Sequence, residues 1–371
     1  MSGRFKIIMT CIVMSIVLGT NTAHGQILQD SASLNLIKKN IDCIYNLQFN
    51  KAREMNLKIL KSYPGHPVVL LLTGLLTYWK NYPLLYNNPA RISFEEDLHQ
   101  CMRLSEKKSN TVYQAEYLLT NLCARGMLLK FYDENNLTMK VLPLAANSYK
   151  YLRKSFSFAN ICKDLYYYTG VYNFYREAYP KVYSSYKPLA LLFPPGDMKN
   201  GLKELNNAAV NSIVLRAESY FLLALIYLNF ENKYQQALYY TKSLHEMYPD
   251  NVLYFALYIK NLMIVSQYDE AEKLIMASHK ETENKYFEAQ LIIFKGILQE
   301  KKYHDNNLAQ QYYNSGISKI SYFGVYGNEY VAYAYFGLSR ISYIKSENNA
   351  GKKLREKAMK LGNFKKINFD K

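Results

Sequence analysis

Side chains able to do chemistry are scattered along this sequence. Cys43, Cys101, Cys123 and Cys162 lie too far apart for the paired spacing of a zinc site. Two readings stay open for them: small apolar core residues, or disulfides in any of the three connectivities that four cysteines allow. His66, His99, His245, His279 and His304 have no partner at ligand spacing, so each is expected to be a solvated or loop histidine. The carboxylate pairs Glu95-Glu96 and Asp269-Glu270 begin or flank helices, and acidic residues there favour the positive helix end. A glycosidase's carboxylates need not be close in sequence, which keeps a hydrolase with dispersed acids as a third reading. The sequence has no Gly-rich phosphate loop, zinc-protease helix signature or nucleophile elbow. The expectation is a protein that is not an enzyme and holds no cofactor or metal.

Binding chemistry is better marked. Tyr168, Tyr172, Tyr175 and Tyr179 recur in steps of four, three and four, which puts them on one helical face. Such a stripe either packs internally, its hydroxyls reaching water or backbone, or offers rings to a partner peptide or a sugar. The second mark is a basic end. Residues 351–371 hold eight Lys+Arg and two acidic residues, with Leu354, Ala358 and Leu361 in line beside Lys353, Lys357 and Lys360. This is either a terminal helix capping the fold with a solvated face, or an attachment point for an anionic polymer or membrane surface. Screening acts over about 8 Å at physiological salt. This cluster therefore counts for more than the net +16 of the whole chain.

The elements that carry these residues follow from composition and period. The 371 residues are 49% apolar and 20% charged, which excludes a disordered or collagen-like chain. Tyrosine is abundant, 37 residues against one Trp. Arg4 and Lys6 precede an uncharged run from Ile7 to Leu18, and Ala23-His24-Gly25 offers small residues at a cleavage site. Residues 1–25 are thus expected to be a secretory signal peptide, cleaved near Gly25; the run is too short for a bilayer core that needs about 20 residues. Past residue 26 no apolar run is long enough to span a membrane, so the mature chain is expected to be soluble and exported to the periplasm or outer envelope. Export argues against a nucleic-acid partner.

A period of 34 residues sets the architecture. Tyr220, Phe221, Leu228, Tyr234 and Ala237 recur as Tyr254, Phe255, Leu262, Tyr268 and Ala271. Apolar steps of three and four within each window predict two helices joined by a tight turn. Tyr227 falls late in the first helix; Ala237 opens the second, and Pro249 follows twelve residues later. The step from Ala52 to Pro64 repeats this near the N-terminus. A small residue lets the paired helices approach, and the proline ends the helix and turns the chain. Farther on the period drifts: Gly296 and Gly337 sit in first helices, Leu308-Ala309 and Ala350 mark the small positions, and Tyr303 to Asn307 reads as an expanded loop. Tyr82 to Ser93 reads as a loop insertion. After Phe193-Pro194-Pro195-Gly196, Asp197 is expected to cap a helix running to Val210.

The 34-residue helical hairpin with these small residues and prolines resembles the tetratricopeptide repeat over most of residues 36–361, most sharply over about 200–275. The Pro194-Pro195-Gly196-Asp197 turn leading to Gly201-Leu202 resembles a segment of exported helical-repeat proteins of Bacteroidetes-type bacteria. More distantly, it is similar to a loop in eukaryotic tetratricopeptide proteins linked to inclusion-body clearance. The resemblance implies a non-catalytic scaffold for protein–protein interaction. The expected fold is all-α, a right-handed α-α superhelix with a concave groove. N-terminal helical repeats (26–160) would run continuously into tetratricopeptide-like repeats (161–371). The expected partner is an envelope protein or peptide, and the alternative is a carbohydrate- or surface-polymer-binding module.

Overall fold

The computed structural model describes residue 27 and residues 30–107, 113–182, 187–278 and 283–362. The expected signal peptide, His279 and the basic residues beyond 362 lie outside them. Among the described residues all regular structure is helical and no strand occurs. The first three hairpins are α1 (Ser31–Tyr45) with α2 (Phe49–Ser62), α3 (Val68–Lys80) with α4 (Ala90–Lys107), and α5 (Gln114–Glu134) with α6 (Thr138–Phe158). The fourth is α7 (Leu165–Val182) with α9 (Met198–Asn211), the short α8 (Lys187–Leu191) lying in its connection. Then come α10 (Arg216–Asn229) with α11 (Tyr234–Met247), and α12 (Val252–Ile264) with α13 (Tyr268–Ala277). Last are α14 (Lys285–Lys301) with α15 (Asn306–Ile320), a 3₁₀ segment (Ser321–Gly327), and α16 (Asn328–Ile344) with α17 (Asn348–Gly362). Helices pack chiefly on their sequence neighbours, so the chain is an α-α solenoid.

One turn geometry generates most of the hairpins. Leu47, Asn136, Asn232, Ser266, His304 and Ser346, each between paired helices, take a left-handed φ between 55° and 63°. That conformation folds backbone N–H groups onto the carbonyls of the helix just ended. The N–H of Leu47 donates to Ile44 O and that of Gln48 to Cys43 O; Ser266 with Gln267, and Ser346 with Glu347, repeat the pattern. Five residues past five of these six positions stands a small buried residue, Ala52, Ala237, Ala271, Ala309 or Gly351; after Asn136 it is the half-buried Val141. Four of these match the expected small positions, Ala52, Ala237, Ala271 and Ala309. Gly351 corrects Ala350, which is exposed, because the turn at Ser346 sets the register one residue later. The small residue leaves its own backbone accessible, and the paired helix uses it. Asn40 donates to Ala52 O at 2.8 Å and Ser339 to Gly351 O at 2.8 Å.

Other expectations shift by local causes. Tyr303 to Asn307 is not an expanded loop: α15 starts at Asn306, capped by Asp305, whose carboxylate accepts from Leu308 N at 2.9 Å. Pro64 and Pro249 are exposed, each two residues past the end of its helix. Asp197 caps α9 by accepting from Lys199 N and Asn200 N. Gly296 and Gly337 leave room for one ring: Tyr313 of α15 packs against both.

The array also meets itself. Tyr248, just before α12, donates to Asp42 Oδ1 of α1 at 3.2 Å, and Asn251 Nδ2 donates to Tyr45 O at 2.8 Å. Asn284, which caps α14, donates to Tyr82 O at 2.9 Å. Tyr326 of the 3₁₀ segment donates to Glu134 Oε2 of α5 at 3.0 Å. Hairpins six, seven and eight therefore seat on hairpins one, two and three. The open concave groove expected from the repeat is replaced by an interior on which the first helices of six hairpins converge.

Candidate binding cavity

The convergence leaves a cavity of about 180 Å³. α1 contributes Ile41, and α3 contributes Leu71, Leu75 and Trp79. From α5 come Gly126, Met127 and Lys130; from α7, Tyr167 and Tyr168. Glu218 and Phe221 of α10 and Tyr254 of α12 complete it. The wall is mostly apolar because these residues lie on the inner stripe of each helix. Gly126 gives α5 its open side there: a Cβ would meet only the Tyr168 hydroxyl, at 3.7 Å.

Glu218 is the exception in this wall. Its Oε2 is buried and has no hydrogen-bond partner among the described residues. Removal from water, only partly offset by a hydrogen bond from its own backbone N–H, pushes its carboxyl up to about 8. Lys130 is the other charged lining residue, and its ammonium is already engaged. It sits 3.9 Å from Glu134 and over the rings of Tyr78 and Phe221 at 5.3 and 5.4 Å. Glu134 in turn accepts from the hydroxyls of Tyr78 and Tyr326 at 2.8 and 3.0 Å. Lys130 is thus already paired, while Glu218 keeps one buried oxygen without a partner among the described residues.

A second buried carboxylate shows what compensation looks like. Asp164, before α7, accepts from the backbone N–H groups of Ile213, Val214 and Leu215 at 3.1, 2.7 and 2.8 Å. Three unpaired donors at the start of α10 and the positive helix end stabilise it. This link fixes α10, and so Glu218, relative to α7.

The tyrosine stripe of α7 is largely internal. Tyr168 is buried against the cavity. Tyr172 donates to Pro194 O at 2.6 Å and packs on Tyr149 and Phe156. Tyr175 stacks on Tyr179 at 5.0 Å and meets the edge of Phe230. Tyr179 alone of the four is exposed, at 36%. Of the repeat-packing residues, Tyr227 is half-buried and stacks on Tyr240 at 5.6 Å.

The remaining chemical residues resolve plainly. Cys43, Cys101, Cys123 and Cys162 are free thiols, so none of the three disulfide connectivities is formed. Burial pushes the thiols of Cys101 and Cys162 up to about 12, which keeps them protonated and inert as nucleophiles. His66 corrects the expectation of a solvated histidine. It is buried, its Nδ1 accepts from Val68 N at 3.1 Å, and its Nε2 lies 2.6 Å from Glu116 Oε1. The signal missed was Pro67 directly after it, which starts an apolar helix and draws the preceding side chain inward.

Glu95 is tied to Arg91 and Lys140 at 2.8 and 2.9 Å, and Asp269 to Lys302 at 2.6 Å. Among the described residues no three His, Cys, Asp or Glu side chains gather as a metal site, and no helix is long and apolar enough to cross a membrane. A broader groove of about 910 Å³ between α4 and α6 is shallow, and three of its charged residues, Arg91, Glu95 and Lys140, are already paired with one another.

Sequence reasoning missed Glu218, Lys130, Gly126 and Trp79 as site residues. A signal existed for Glu218: it sits among Ala217, Tyr220, Phe221, Leu222 and Leu223, an acid in an apolar run. The convergence of six helices had no sequence signal, since it depends on contacts about 200 residues apart. Compared with known proteins, the sequence matches no family model and no curated protein, so geometry alone supports a functional reading.

Proposed function

We propose that this chain is an exported, non-catalytic, tetratricopeptide-like scaffold of the periplasm or outer envelope. It binds another protein or a peptide by seating one apolar anchor side chain in the central cavity. The observation that carries this reading is the cavity itself, walled by first helices from most of the array. Its volume of about 180 Å³ suits one ring or branched aliphatic chain. An apolar cavity of roughly 150 Å³ in another protein stays dry and takes up benzene. Well-packed pockets that receive a single aromatic or aliphatic anchor commonly dominate the energy of an interface.

The chain supplies its own reporter, because its one Trp, Trp79, lines the cavity. Peptides bearing a Phe or Leu anchor should shift Trp79 emission saturably. Gly126→Leu should fill the space without a backbone clash and remove the shift. Emission indifferent to every such peptide, alike in both proteins, would sink the reading. Export is checked by N-terminal sequencing of the secreted protein, which should begin near Gln26.

A second reading rests on α17, where Lys352, Lys353, Lys357 and Lys360 are all exposed on the last hairpin. This face suits an anionic polysaccharide or membrane surface. Retention on dextran sulfate that disappears with rising salt would support it, and no retention at low salt would dismiss it.

A further inference from the structure

We propose that the central cavity is specific for an organic ammonium: an apolar or aromatic body fills the space, and its protonated amine seats on the Glu218 carboxylate. The inference rests on the cavity-binding reading above and adds the chemical class of what enters. A buried carboxyl oxygen without a partner is costly to leave, and a ligand that supplies a charged donor removes that cost. The walls favour the same class. Trp79, Phe221 and Tyr254 line the space, and a desolvated cation among aromatic rings is held by the ring quadrupoles.

The groups around Glu218 leave it alone to titrate near neutrality. Burial raises the hydroxyls of Tyr78, Tyr167, Tyr168 and Tyr254 and the Cys123 thiol, so they stay neutral. Tyr248, facing from the chain before α12, is raised by burial as well. Lys130 sits against Glu134, and Arg216 lies two residues before Glu218 on α10. The proton balance follows. Below pH about 8 the empty site holds Glu218 protonated. Arrival of R–NH₃⁺ then forms the carboxylate–ammonium pair and releases the carboxyl proton to solvent. Affinity for the amine should fall about tenfold per pH unit below that value and level off above it.

The ammonium could belong to a free amine or to the amino terminus of a peptide, and the test separates the two. Trp79 emission is titrated with benzylamine, its neutral analogue benzyl alcohol, and the peptide Phe-Gly-Gly-amide, from pH 6 to 9. The unmodified protein, Glu218→Gln and Gly126→Leu are compared. Benzylamine should bind at least tenfold tighter than benzyl alcohol at pH 8.5. That preference should vanish in Glu218→Gln, with benzyl alcohol binding retained. Peptide binding equal to that of benzylamine assigns an amino terminus; benzylamine alone assigns a free amine. Equal binding of amine and alcohol, unaffected by pH and by Glu218→Gln, overturns the ammonium inference and leaves the cavity reading standing. Failure of all three probes, with Glu218→Gln and Gly126→Leu indistinguishable from the unmodified protein, overturns both.

Discussion

Contacts between helices adjacent in sequence and contacts across the seam of the array are organised differently. Adjacent helices approach through small residues that admit a facing backbone or ring: Gly170 of α7 faces Gly201 of α9, and Gly296 and Gly337 flank Tyr313, with ring pairs such as Phe94–Phe131 and Tyr227–Tyr240 elsewhere. The seam is aromatic and hydrogen-bonded. Tyr45 packs on Tyr248 at 5.2 Å, Trp79 on Tyr254 at 5.6 Å, and Tyr82 on Tyr286 and Tyr326 at 6.2 and 5.8 Å. A neighbour contact is local and cheap in loop entropy, so simple close packing holds it. The seam joins segments about 200 residues apart and must specify one register. Rings add buried area, and their hydroxyls, with Asn251 and Asn284, add direction.

The largest expected effect breaks the seam at its centre. Trp79 is 7% exposed and touches rings from both layers. Trp79→Ala should cost about 3–5 kcal/mol, the range for large aromatic deletions in cores. More telling is the shape of the transition. With the seam intact, denaturant unfolding followed by far-UV circular dichroism should be a single step. In Trp79→Ala the last three hairpins should separate from the first three, giving two steps or a lowered m-value. A mere parallel shift of one transition would show that the seam adds stability without cooperativity.

Glu218 lies beside the seam: it lines the cavity from α10 together with Trp79 and Tyr254, which meet across the seam. Its folded-state carboxyl is raised to about 8 from an ordinary 4.5. The folded chain therefore holds a proton that the unfolded chain has lost between those values, and stability must fall as pH rises through that window. The slope is about 1.4 kcal/mol per pH unit for one group. Glu218→Gln should abolish this slope, leaving the variant more stable than the parent by roughly 3–4 kcal/mol at pH 7 to 8. Urea midpoints at pH 5, 6.5 and 8 check it; parallel profiles for the two proteins would contradict a protonated Glu218.

A comparable test on the neighbour contacts is Gly201→Val. A Cβ there would come within 2.7 Å of Phe174 N and 2.9 Å of Gly170 O, both backbone atoms that cannot swing aside. Overpacking should cost about 1–3 kcal/mol, by separating α7 from α9. The transition should stay single, because the seam is untouched. A variant as stable as the parent would mean that the two helices are not in close contact.

How much could be read beforehand follows the same division. The neighbour contacts were legible because they repeat. The step from Tyr220 to Tyr254 fixes a period, and Ala52, Ala237 and Ala271 are small where close helices require it. Asp197 was legible as a cap because capping is decided within four residues. The seam was not legible, because Tyr248 and Asp42 share no pattern that pairs them, and any tyrosine could serve a core or a surface. Glu218 suffered the same way: an acid on an apolar face is visible in the sequence, but whether a partner compensates it depends on α3, α5 and α12. Ala350 failed by one residue because the turn conformation at Ser346, which no periodicity records, sets the register.

The smallest predicted effect sharpens the comparison by removing one hydroxyl from each region. Tyr248→Phe keeps its ring against Tyr45 and Tyr254 but loses the bond to Asp42 at 3.2 Å. It should cost about 0.5–1.5 kcal/mol, because a half-buried carboxylate loses a donor. Tyr175→Phe, in the neighbour-contact region, keeps the stacking on Tyr179 and the edge contact with Phe230. It should stay within about 0.5 kcal/mol of the parent. Thermal unfolding of both variants side by side gives the comparison directly. If Tyr175→Phe cost as much as Tyr248→Phe, the hydroxyls would matter equally in both regions. The seam would then owe its register to ring packing alone, with its hydrogen bonds following from that packing.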